Sequence, residues 1–350
     1  MAKQILPVVM DTNFNRLAVL DSYKSLIWST RYYSHGDFEI QIAANAENVA
    51  LLTTGNYIVR DDDENVGIIE KVDLTISETN EILMKVSGRF LTAILDRRIV
   101  AVQTQLTGNV SNAIVKLIND AIISPDIEAR EISNFIIDPY TIASYIDVQY
   151  TGKDLYTIIS DLALQYHFGF KITLNESNQF VFKLYEGADR SYNQDTNPYV
   201  IFSDEYENLI NAEFQKDTKG IVTAVLAAGE GEGLDRKTIW VENDNAPTGI
   251  NRYELYDDSR NTSSNEGEIP EADYYKQLAE SGRASLTTYE STFAGQVNFT
   301  AIKFKEDVNI GDIVTIESKT LGYMLAARII EVIESIDSSG AYSVIPTFGS

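Results

Sequence analysis

Histidine and cysteine, the side chains that most often carry catalysis or hold metals, are scarce in this sequence. Cysteine is absent, which excludes a thiolate nucleophile, a disulfide and a Cys-ligated metal. The two histidines, His35 and His167, lie far apart in the chain and belong to neither an HExxH nor an HxH motif. We interpret both as structural or solvated residues, and expect no catalytic, cofactor-binding or metal-ligating residue.

Two acidic stretches could suggest ligand sites. The glycine-rich stretch from Gly229 to Arg236 places Glu230 and Glu232 where a phosphate would sit and lacks the Lys-Ser/Thr pair of a P-loop. It is interpreted as a flexible turn. A second stretch contains four consecutive acids, Asp61, Asp62, Asp63 and Glu64.

Consecutive side chains of that second stretch alternate in direction, unlike the every-second-residue ligands of a calcium loop. The sequence therefore predicts an acidic hairpin tip from Asp61 to Glu64. Carboxylate pairs spaced for glycoside hydrolysis carry no information here, because a chain with 52 acids always contains some.

The overall charge argues against a conventional nucleic-acid-binding protein. The chain has 52 acids and 28 bases, a net charge of −24, and its bases form no cluster. Such a surface repels phosphate. Two interpretations remain open: solubility alone, or the wall of a passage that must not retain DNA.

Length and hydropathy indicate a folded chain of several domains. For 350 residues with 44% hydrophobic content, two or three domains are expected. The first fifteen residues lack the apolar core of a signal peptide, and no run approaches the roughly 18 apolar residues that span a bilayer. We expect no membrane insertion.

The elements that must position any site are mostly strands. From Phe38 to Ile99 apolar residues alternate, and the segment VGIIEKVDLTIS is predicted to be one half-buried strand in a meander. A helix follows Gly108, with Ser111 as N-cap and Pro125 beyond its end, and another helix follows Gly152 and stops at Gly169. The strands FKITL and QFVFKLY come next.

The remainder returns to strands around one irregular region. YVIF, NAEFQ and GIVTAVLAAG are predicted strands, and Asp235 to Asp273 is predicted to form long loops. A helix is expected from Glu271 to about Tyr289, and closing strands from Gln296 to Pro346.

These patterns predict an α+β, mainly β protein. We expect two related β-barrel, tube-like domains, an inserted α/β domain and a further loop and helix excursion. The predicted boundaries are 1–104 for the first barrel, 105–198 for the α/β domain, 199–235 with 291–350 for the second barrel, and 236–290 for the acidic insertion.

In their order and spacing, three stretches resemble a known family. They are HGDFEIQIAANAENVALLTTGNYIVR with the strands after it, TGKDLYTIISDLALQYHFGFKITLNESNQFVFKLYEGADRS, and NIGDIVTIESKTLGYMLAARIIEVIESIDSSGAYSVIPTFG. The chain resembles the tail-hub family of siphophages and is similar to the central hub of contractile-tail baseplates.

That resemblance implies a non-enzymatic structural protein of the virion tail tip or baseplate, assembled in the host cytoplasm. It implies a homotrimer that joins the tail tube to the tip, adapts its symmetry and surrounds a channel through which DNA passes unbound. The implied partners are the tail tube or distal tail ring protein, and tail fibre, spike or tape-measure proteins. Many relatives continue into a peptidoglycan-cleaving or receptor-binding region, whereas this sequence stops at Ser350, so we expect those activities to belong to another protein.

Within this resemblance, the acidic tip from Asp61 to Glu64 is a candidate to face the lumen or the adjoining ring. The alternative function is a cell-wall carbohydrate-binding or glycan-hydrolysing tail module, for which 20 Tyr and 14 Phe could supply stacking surfaces. Strand packing is the simpler interpretation of those aromatic residues.

The sequence also suggests an internal repeat. Residues 68–88 align with 329–349 at a constant offset of 261, which places Ile68-Ile69-Glu70 on Ile329-Ile330-Glu331. Before them, Gly55 matches Gly311, with an intervening hairpin five residues longer in the second copy. We predict that the two strand sets share strand order and register.

Overall fold

The chain folds into several β-sheets and four α-helices in a computed structural model that describes residues 5–76, 82–217, 219–243, 245–287, 290–297, 302–320 and 322–349. The strands of the first part are β1 Val8–Met10, β2 Arg16–Val19, β3 Tyr23–Arg31, β4 Asp37–Ala43, β5 Tyr57–Arg60, β6 Asp63–Ile68, β7 Lys71–Ile76 and β8 Ile82–Arg89. Those of the middle part are β9 Thr104–Asn109, β10 Phe135–Ile137, β11 Tyr145–Tyr150, β12 Gly169–Leu174 and β13 Phe180–Tyr185.

The remaining strands are β14 Ile201–Ser203, β15 Leu209–Asp217, β16 Ala224–Ala228, β17 Thr238–Glu242, β18 Glu254–Asp258, β19 Glu290–Val297, β20 Ile313–Ser318, β21 Tyr323–Ile336 and β22 Tyr342–Gly349. The helices are α1 Ala46–Leu51, α2 Val110–Ile118, α3 Leu155–Tyr166 and α4 Glu271–Arg283.

One large sheet contains strands from both ends of the chain. Its order is β15-β19-β22-β21-β3-β4-β8-β7, and off this path β20 pairs with β21 and β14 with β20, ten strands in all. The mainly β fold is thereby confirmed. Among the described residues no sheet closes on itself, so within a single chain the two predicted barrels are open sheets.

In the first part of the chain, one predicted strand is two strands that belong to different sheets. The segment VGIIEKVDLTIS is split at Ile69 and Glu70 into the end of β6, which belongs to a four-stranded sheet of order β2-β1-β5-β6, and β7, which lies at the edge of the large sheet. The prediction of one continuous strand was wrong, because the chain turns from one sheet into the other there. The polar turn predicted from 78 to 81 lies outside the described residues.

The middle of the chain combines helices and strands, and we call it the α/β unit; its boundaries as a domain stay a prediction. The helices α2 and α3 pack with the sheet β10-β13-β12 and the pair β11-β9 around one apolar core. The N-cap of α2 is Asn109 and not Ser111, since the Asn109 side chain accepts from the Asn112 N–H at 2.9 Å. The α3 helix ends at His167, whose φ of 59° is left-handed, two residues before the predicted stop.

The acidic insertion is more ordered than the sequence indicated. The strands β17 and β18 lie within the stretch predicted as loops and flank β16 in a three-stranded sheet of order β17-β16-β18. The strand β16 was expected in the second barrel, so the structure corrects its placement. The α4 helix covers one face of this sheet through Tyr274 and Leu278, and it ends at Arg283, before the predicted end near Tyr289.

No helix among the described residues is long and apolar enough to span a membrane.

Candidate functional site: the joint between two repeats

Two strand sets of the chain repeat each other in register, although the first hairpin of one set, β5 and β6, lies in the four-stranded sheet and its counterpart, β20 and β21, in the large sheet. In the first set, the Gly55 N–H donates to the Ile69 carbonyl and Tyr57 pairs with Ile68. In the second, the Gly311 N–H donates to the Ile329 carbonyl and Ile313 pairs with Arg328. Gly55 and Gly311 have φ of 95° and 91°, a left-handed conformation that glycine adopts without strain. The two hairpin bases therefore have the same geometry.

The next hairpin repeats as well. Lys71 pairs with Ser87 and Ile76 with Ile82 in the first set, and Glu331 pairs with Thr347 and Ile336 with Tyr342 in the second. The predicted repeat is confirmed in strand order and pairing. The correct offset is 260, because Lys71 corresponds to Glu331, and the second hairpin is four residues longer rather than five.

The alignment at 261 was wrong by one residue. The similar Ile-Ile-Glu triplets favoured it, but hydrogen bonds from the two glycines decide the register. In a strand, a slip of one residue moves every side chain to the opposite face of the sheet.

The remaining strand pair of each set also agrees. Trp28 pairs with Phe38 between β3 and β4, and Phe214 pairs with Phe293 between β15 and β19. Each pair shifts its register near the start of the leading strand, between Tyr23 and Ser25 in β3 and between Ile210 and Glu213 in β15. We call β3, β4, β8 and β7 repeat 1, and β15, β19, β22 and β21 repeat 2. The strands β3 and β15 are the leading edges, and β7 and β21 the trailing edges.

Inside the chain, the trailing edge of repeat 2 pairs with the leading edge of repeat 1. Residues Glu331–Ile336 of β21 pair antiparallel with Leu26–Arg31 of β3. We call this pairing the joint. It leaves β15 and β7 as the two ends of the main path of the sheet.

A buried ion cluster lies at the joint. The Arg60 side chain is fully buried and donates to Glu334 at 3.1 Å and to Asp62 at 2.9 Å. Lys305 Nζ lies 2.9 Å from Glu334 and 2.6 Å from Asp63. The Tyr342 hydroxyl donates to Glu334 at 2.8 Å. The cluster thus joins β5 and β6, the trailing strand β21 and the segment before β20.

Electrostatics keeps this cluster ionised. Burial opposes the charge of Glu334, but the nearby Arg60 and Lys305 outweigh burial and lower the pKa of Glu334 to about 2. Burial likewise opposes the charge of Lys305, and the carboxylates of Asp63 and Glu334 raise its pKa. A buried carboxylate held between two cations specifies one arrangement of the joint.

The other face of the joint carries a second ion pair. Arg31, at the end of β3, donates to Glu331 of β21 at 2.7 Å and also binds Asp37. Glu331 and Arg31 are direct partners in the strand register. The joint is therefore held by charges on both faces of the sheet.

Among the residues that the structure describes, no strand covers the trailing edge of repeat 1 in this way. Val332, Glu334 and Ile336 of β21 are 1%, 1% and 7% exposed. Their counterparts in β7 are Val72, Leu74 and Ile76, of which Leu74 is 54% and Ile76 71% exposed. The same structural position is covered in one repeat and bare in the other.

The predicted acidic tip takes part in this arrangement. Asp61 and Asp62 form the turn between β5 and β6, as predicted, but the carboxylates are ion-paired rather than free. The Asp63 side chain is 2% exposed against Lys305, and Glu64 binds Lys171 and Lys183 of the α/β unit. Whether the tip faces a lumen or a neighbouring ring stays a prediction. The sequence offered no signal for the lysine partners of Asp63 and Glu64, which lie more than 100 residues away.

The other predicted positions are apart from the joint cluster. His35 stacks on Tyr156, and the His167 ring lies 3.4 Å from the Tyr33 hydroxyl. Burial lowers the pKa of both histidines. The turn at Gly229 is bound by Arg236 and Lys237 within its own sheet. The described residues contain no cluster of His, Cys, Asp and Glu suited to a metal ion.

A cleft of about 810 Å³ adjoins the joint. The basic residues Arg31, Lys171, Arg190 and Lys305 line it, and each is ion-paired with a carboxylate. Cations already paired in this way have little to offer a phosphate group.

Comparison with known proteins places this geometry in context. Across 99% of its length, the chain has the fold of a tail protein from Neisseria meningitidis MC58, with a TM-score of 0.57, 15% identity and 97% of that chain covered. A 43 kDa tail protein of prophage MuSo2 from Shewanella oneidensis matches 98% of both chains at a TM-score of 0.56 and 13% identity. The match to prophage tail protein gp18 from Listeria monocytogenes EGD-e covers 99% of this chain and 94% of that protein, with a TM-score of 0.54 and 14% identity.

No curated protein sequence matches the chain. The family model described as Siphovirus ReqiPepy6 Gp37-like protein matches residues 6–350. The resemblance to phage tail proteins seen in the sequence is thereby confirmed at the level of the fold, and the chain belongs to the Siphovirus ReqiPepy6 Gp37-like protein family.

Proposed function

We propose that this protein is a non-enzymatic structural hub of the virion tail tip or baseplate, which forms a homotrimeric ring around a DNA channel. The observation that carries the proposal is the bare trailing edge β7, whose equivalent β21 is covered by a leading edge within the same chain. The leading edge β15 of a second copy, which ends the other side of the sheet among the described residues, is the equivalent cover for β7.

Head-to-tail contacts of this kind generate a ring when the rotation closes. In the proposed ring, β7 of each chain pairs with β15 of the next, so the large sheets become continuous and the barrel closes between chains. Three chains then contribute six similar repeats. Such a ring can meet a sixfold tail tube with nearly equivalent contacts, which makes it a symmetry adaptor.

The sheet face opposite the buried core suits the wall of a DNA passage. Arg31, Lys71 and Lys85 project from this face, and each is ion-paired, with Glu331, Asp73 and Glu39 respectively. Lysines and arginines free to bind phosphate would retain DNA and make its transit dependent on salt. This face and the net charge of −24 support passage without binding.

The tail-protein fold supports other tail proteins as the partners of this chain. In this proposal, the tail tube or distal tail ring protein lies against one side of the ring, and fibre, spike or tape-measure proteins lie nearby. Assembly takes place in the host cytoplasm, before the finished virion carries the hub at its tail tip.

The ring is tested by mass and by imaging. Three chains of 39.1 kDa give about 117 kDa, and native mass spectrometry of concentrated protein, with cryo-electron microscopy of intact tails, should find a threefold ring. Leu74→Asp on β7 should abolish it, because it places a charge on the bare apolar edge. Leu17→Asp is the matched control, since Leu17 of β2 is also about half exposed. A monomer inside intact tails would contradict the proposal.

One surface favours the alternative, a carbohydrate-binding tail module. Trp240, Leu226 and Tyr256 are register partners across β17, β16 and β18 and form a row on one sheet face. The two rings are 49% and 54% exposed and stack on Arg252 and Arg236. Aromatic rings of this kind can stack on sugars.

Calorimetric titration with soluble peptidoglycan fragments tests this alternative. Saturable binding that Trp240→Ala removes would support it, with Tyr199→Ala as the control at an exposed tyrosine in another part of the chain. Absence of binding would reject it without affecting the ring.

A further inference from the structure

We infer that oppositely charged residues at the strand edges decide which repeat joins which, so that Lys71 of one copy pairs with Asp217 of the next. This inference rests on the proposed ring and names the residues that specify it. It concerns the register of β7 against β15 of a neighbouring copy.

The joint inside the chain supplies the register. There Glu331 of the trailing edge is the direct partner of Arg31 of the leading edge. By the strand correspondence of the repeats, Lys71 takes the place of Glu331. Arg31 corresponds to Asp217, as Trp28 corresponds to Phe214.

The charges are therefore reversed between the two kinds of contact. Within the chain, an acid on the trailing edge meets a base on the leading edge at 2.7 Å. Between copies, a base on the trailing edge, Lys71, meets an acid on the leading edge, Asp217. Each correct pairing brings opposite charges together, which stabilises directly opposed residues of antiparallel strands.

The incorrect pairings are penalised. Joining β7 to β3 would oppose Lys71 to Arg31, and joining β21 to β15 would oppose Glu331 to Asp217. Like charges placed directly opposite destabilise a strand pair, and specificity of this kind depends on such repulsion as well as on attraction. The repeats can then alternate in one order only.

The residues on the buried face of the sheet also distinguish the joint within the chain from the contact between copies. Glu334 of the joint has Arg60 and Lys305 as partners. The counterpart of Glu334 in repeat 1 is Leu74, and the counterpart of Trp28 in repeat 2 is Phe214, so an apolar pair occupies this register between copies. Exchange of the edges would put a leucine in place of Glu334 and leave the buried Arg60 with Asp62 as its remaining ion-pair partner, which is unfavourable for a buried charge.

Lys71 is available for this exchange of partners. Its side chain is 67% exposed, and its Nζ lies 2.7 Å from the carboxylate of Asp73 on the same strand. An exposed pair of this kind contributes little and can be replaced by a cross-strand partner.

Charge exchange tests the inference in the full-length chain. Lys71→Asp or Asp217→Lys alone should weaken each contact between copies about tenfold, and hence the trimer about a thousandfold over three contacts. The double variant should restore assembly, whereas an equimolar mixture of the two single variants should restore it only in part, because a ring of three chains always contains at least one contact between two like variants. Lys153→Asp, the same charge change on the α/β unit, is the control. Sedimentation over a concentration series provides the measurement.

Engineered cysteines test the register independently, since the chain contains no cysteine. Asp73 and Gln215 are direct partners in the inferred register, so Asp73→Cys with Gln215→Cys should give chains cross-linked through a disulfide. Asp73→Cys with Lys216→Cys is the out-of-register control and should give few cross-linked chains.

The outcomes separate the two proposals. A wild-type trimer that neither charge variant weakens, or that cross-links equally in both registers, overturns the inferred pairing and leaves the ring intact. A wild-type chain that stays monomeric at every concentration and within assembled tails overturns the ring and the pairing together.

Discussion

The trailing edges of the two repeats have the same backbone pairing but opposite surroundings. Edge β21 is covered by β3 and carries the buried, ion-paired Glu334, whereas β7 is uncovered and has the exposed Leu74 at the same position. A buried carboxylate without partners would be very unfavourable, so Glu334 can stand only where Arg60 is already present in the same chain. At this position, the contact made within the chain is ionic and the edge left open is apolar.

Among the changes to the joint and the bare edge, removal of the Arg60 side chain should lower the free energy of unfolding the most. Arg60→Ala leaves Glu334 buried beside Lys305 alone, and we expect the free energy of unfolding to fall by about 3 to 5 kcal/mol. Arg16→Ala, at an exposed ion pair with Asp61, should change it by less than about 1 kcal/mol. Urea denaturation followed by circular dichroism gives both values. Equal effects of the two variants would mean that the joint cluster is no more important than a surface pair.

Acid should weaken the joint and leave the bare edge unaffected. The pKa of Glu334 is about 2 in the folded chain, below its ordinary value of 4.5. A carboxyl with a lowered pKa contributes stability above its unfolded pKa and loses it as the pH falls through the folded one. Between pH 4.5 and about 2, the chain should therefore lose roughly 3 kcal/mol through this group.

Glu334→Gln should remove this part of the pH dependence. Denaturation at a series of pH values between 6 and 3 compares the two chains. If the wild type and the Gln variant lose stability in parallel, the joint is not the acid-sensitive element. The matching substitution at the bare edge, Leu74→Gln, should leave the pH profile of the wild type unchanged.

The next largest loss of stability is expected at one of two equivalent isoleucines. Ile336 is 7% exposed in the core of the first part of the chain, and its counterpart Ile76 is 71% exposed. Ile336→Ala should reduce the stability of the monomer by about 2 kcal/mol or more. Ile76→Ala should change it by less than about 0.5 kcal/mol. Thermal unfolding of dilute protein is the measurement, and comparable losses would show that the monomer covers both edges alike.

The smallest effect is expected at the contact between the first part of the chain and the α/β unit. Glu64 binds Lys171 and Lys183, and all three side chains are partly exposed. Glu64→Gln should cost at most about 1 kcal/mol, and less in 1 M salt, since exposed ion pairs are weak and screened. Equilibrium unfolding in low and high salt tests this. A loss as large as that of Arg60→Ala would place the decisive contact outside the joint.

Sequence patterns alone determined the class of the protein and much of its element order. Alternating residues in β4 and β13 and the helical spacing in α3 predicted those elements, because side-chain periodicity reflects which face is buried. The glycines at 55 and 311 marked the two repeats, since a left-handed turn residue leaves a local signal in the sequence. Absence of cysteine and the sparse histidines were equally direct observations.

Contacts between distant segments were decided only by the tertiary structure. The alternation of β6 and β7 is interrupted at Ile69 and Glu70, but this local interruption does not by itself show that the chain passes there into another sheet. The acids from Asp61 to Glu64 show their charge in the sequence but not their distant partners, because Lys171, Lys183 and Lys305 approach them through folding alone. Register likewise depends on hydrogen bonds between strands, and a one-residue error that composition cannot detect exchanges the buried and exposed faces.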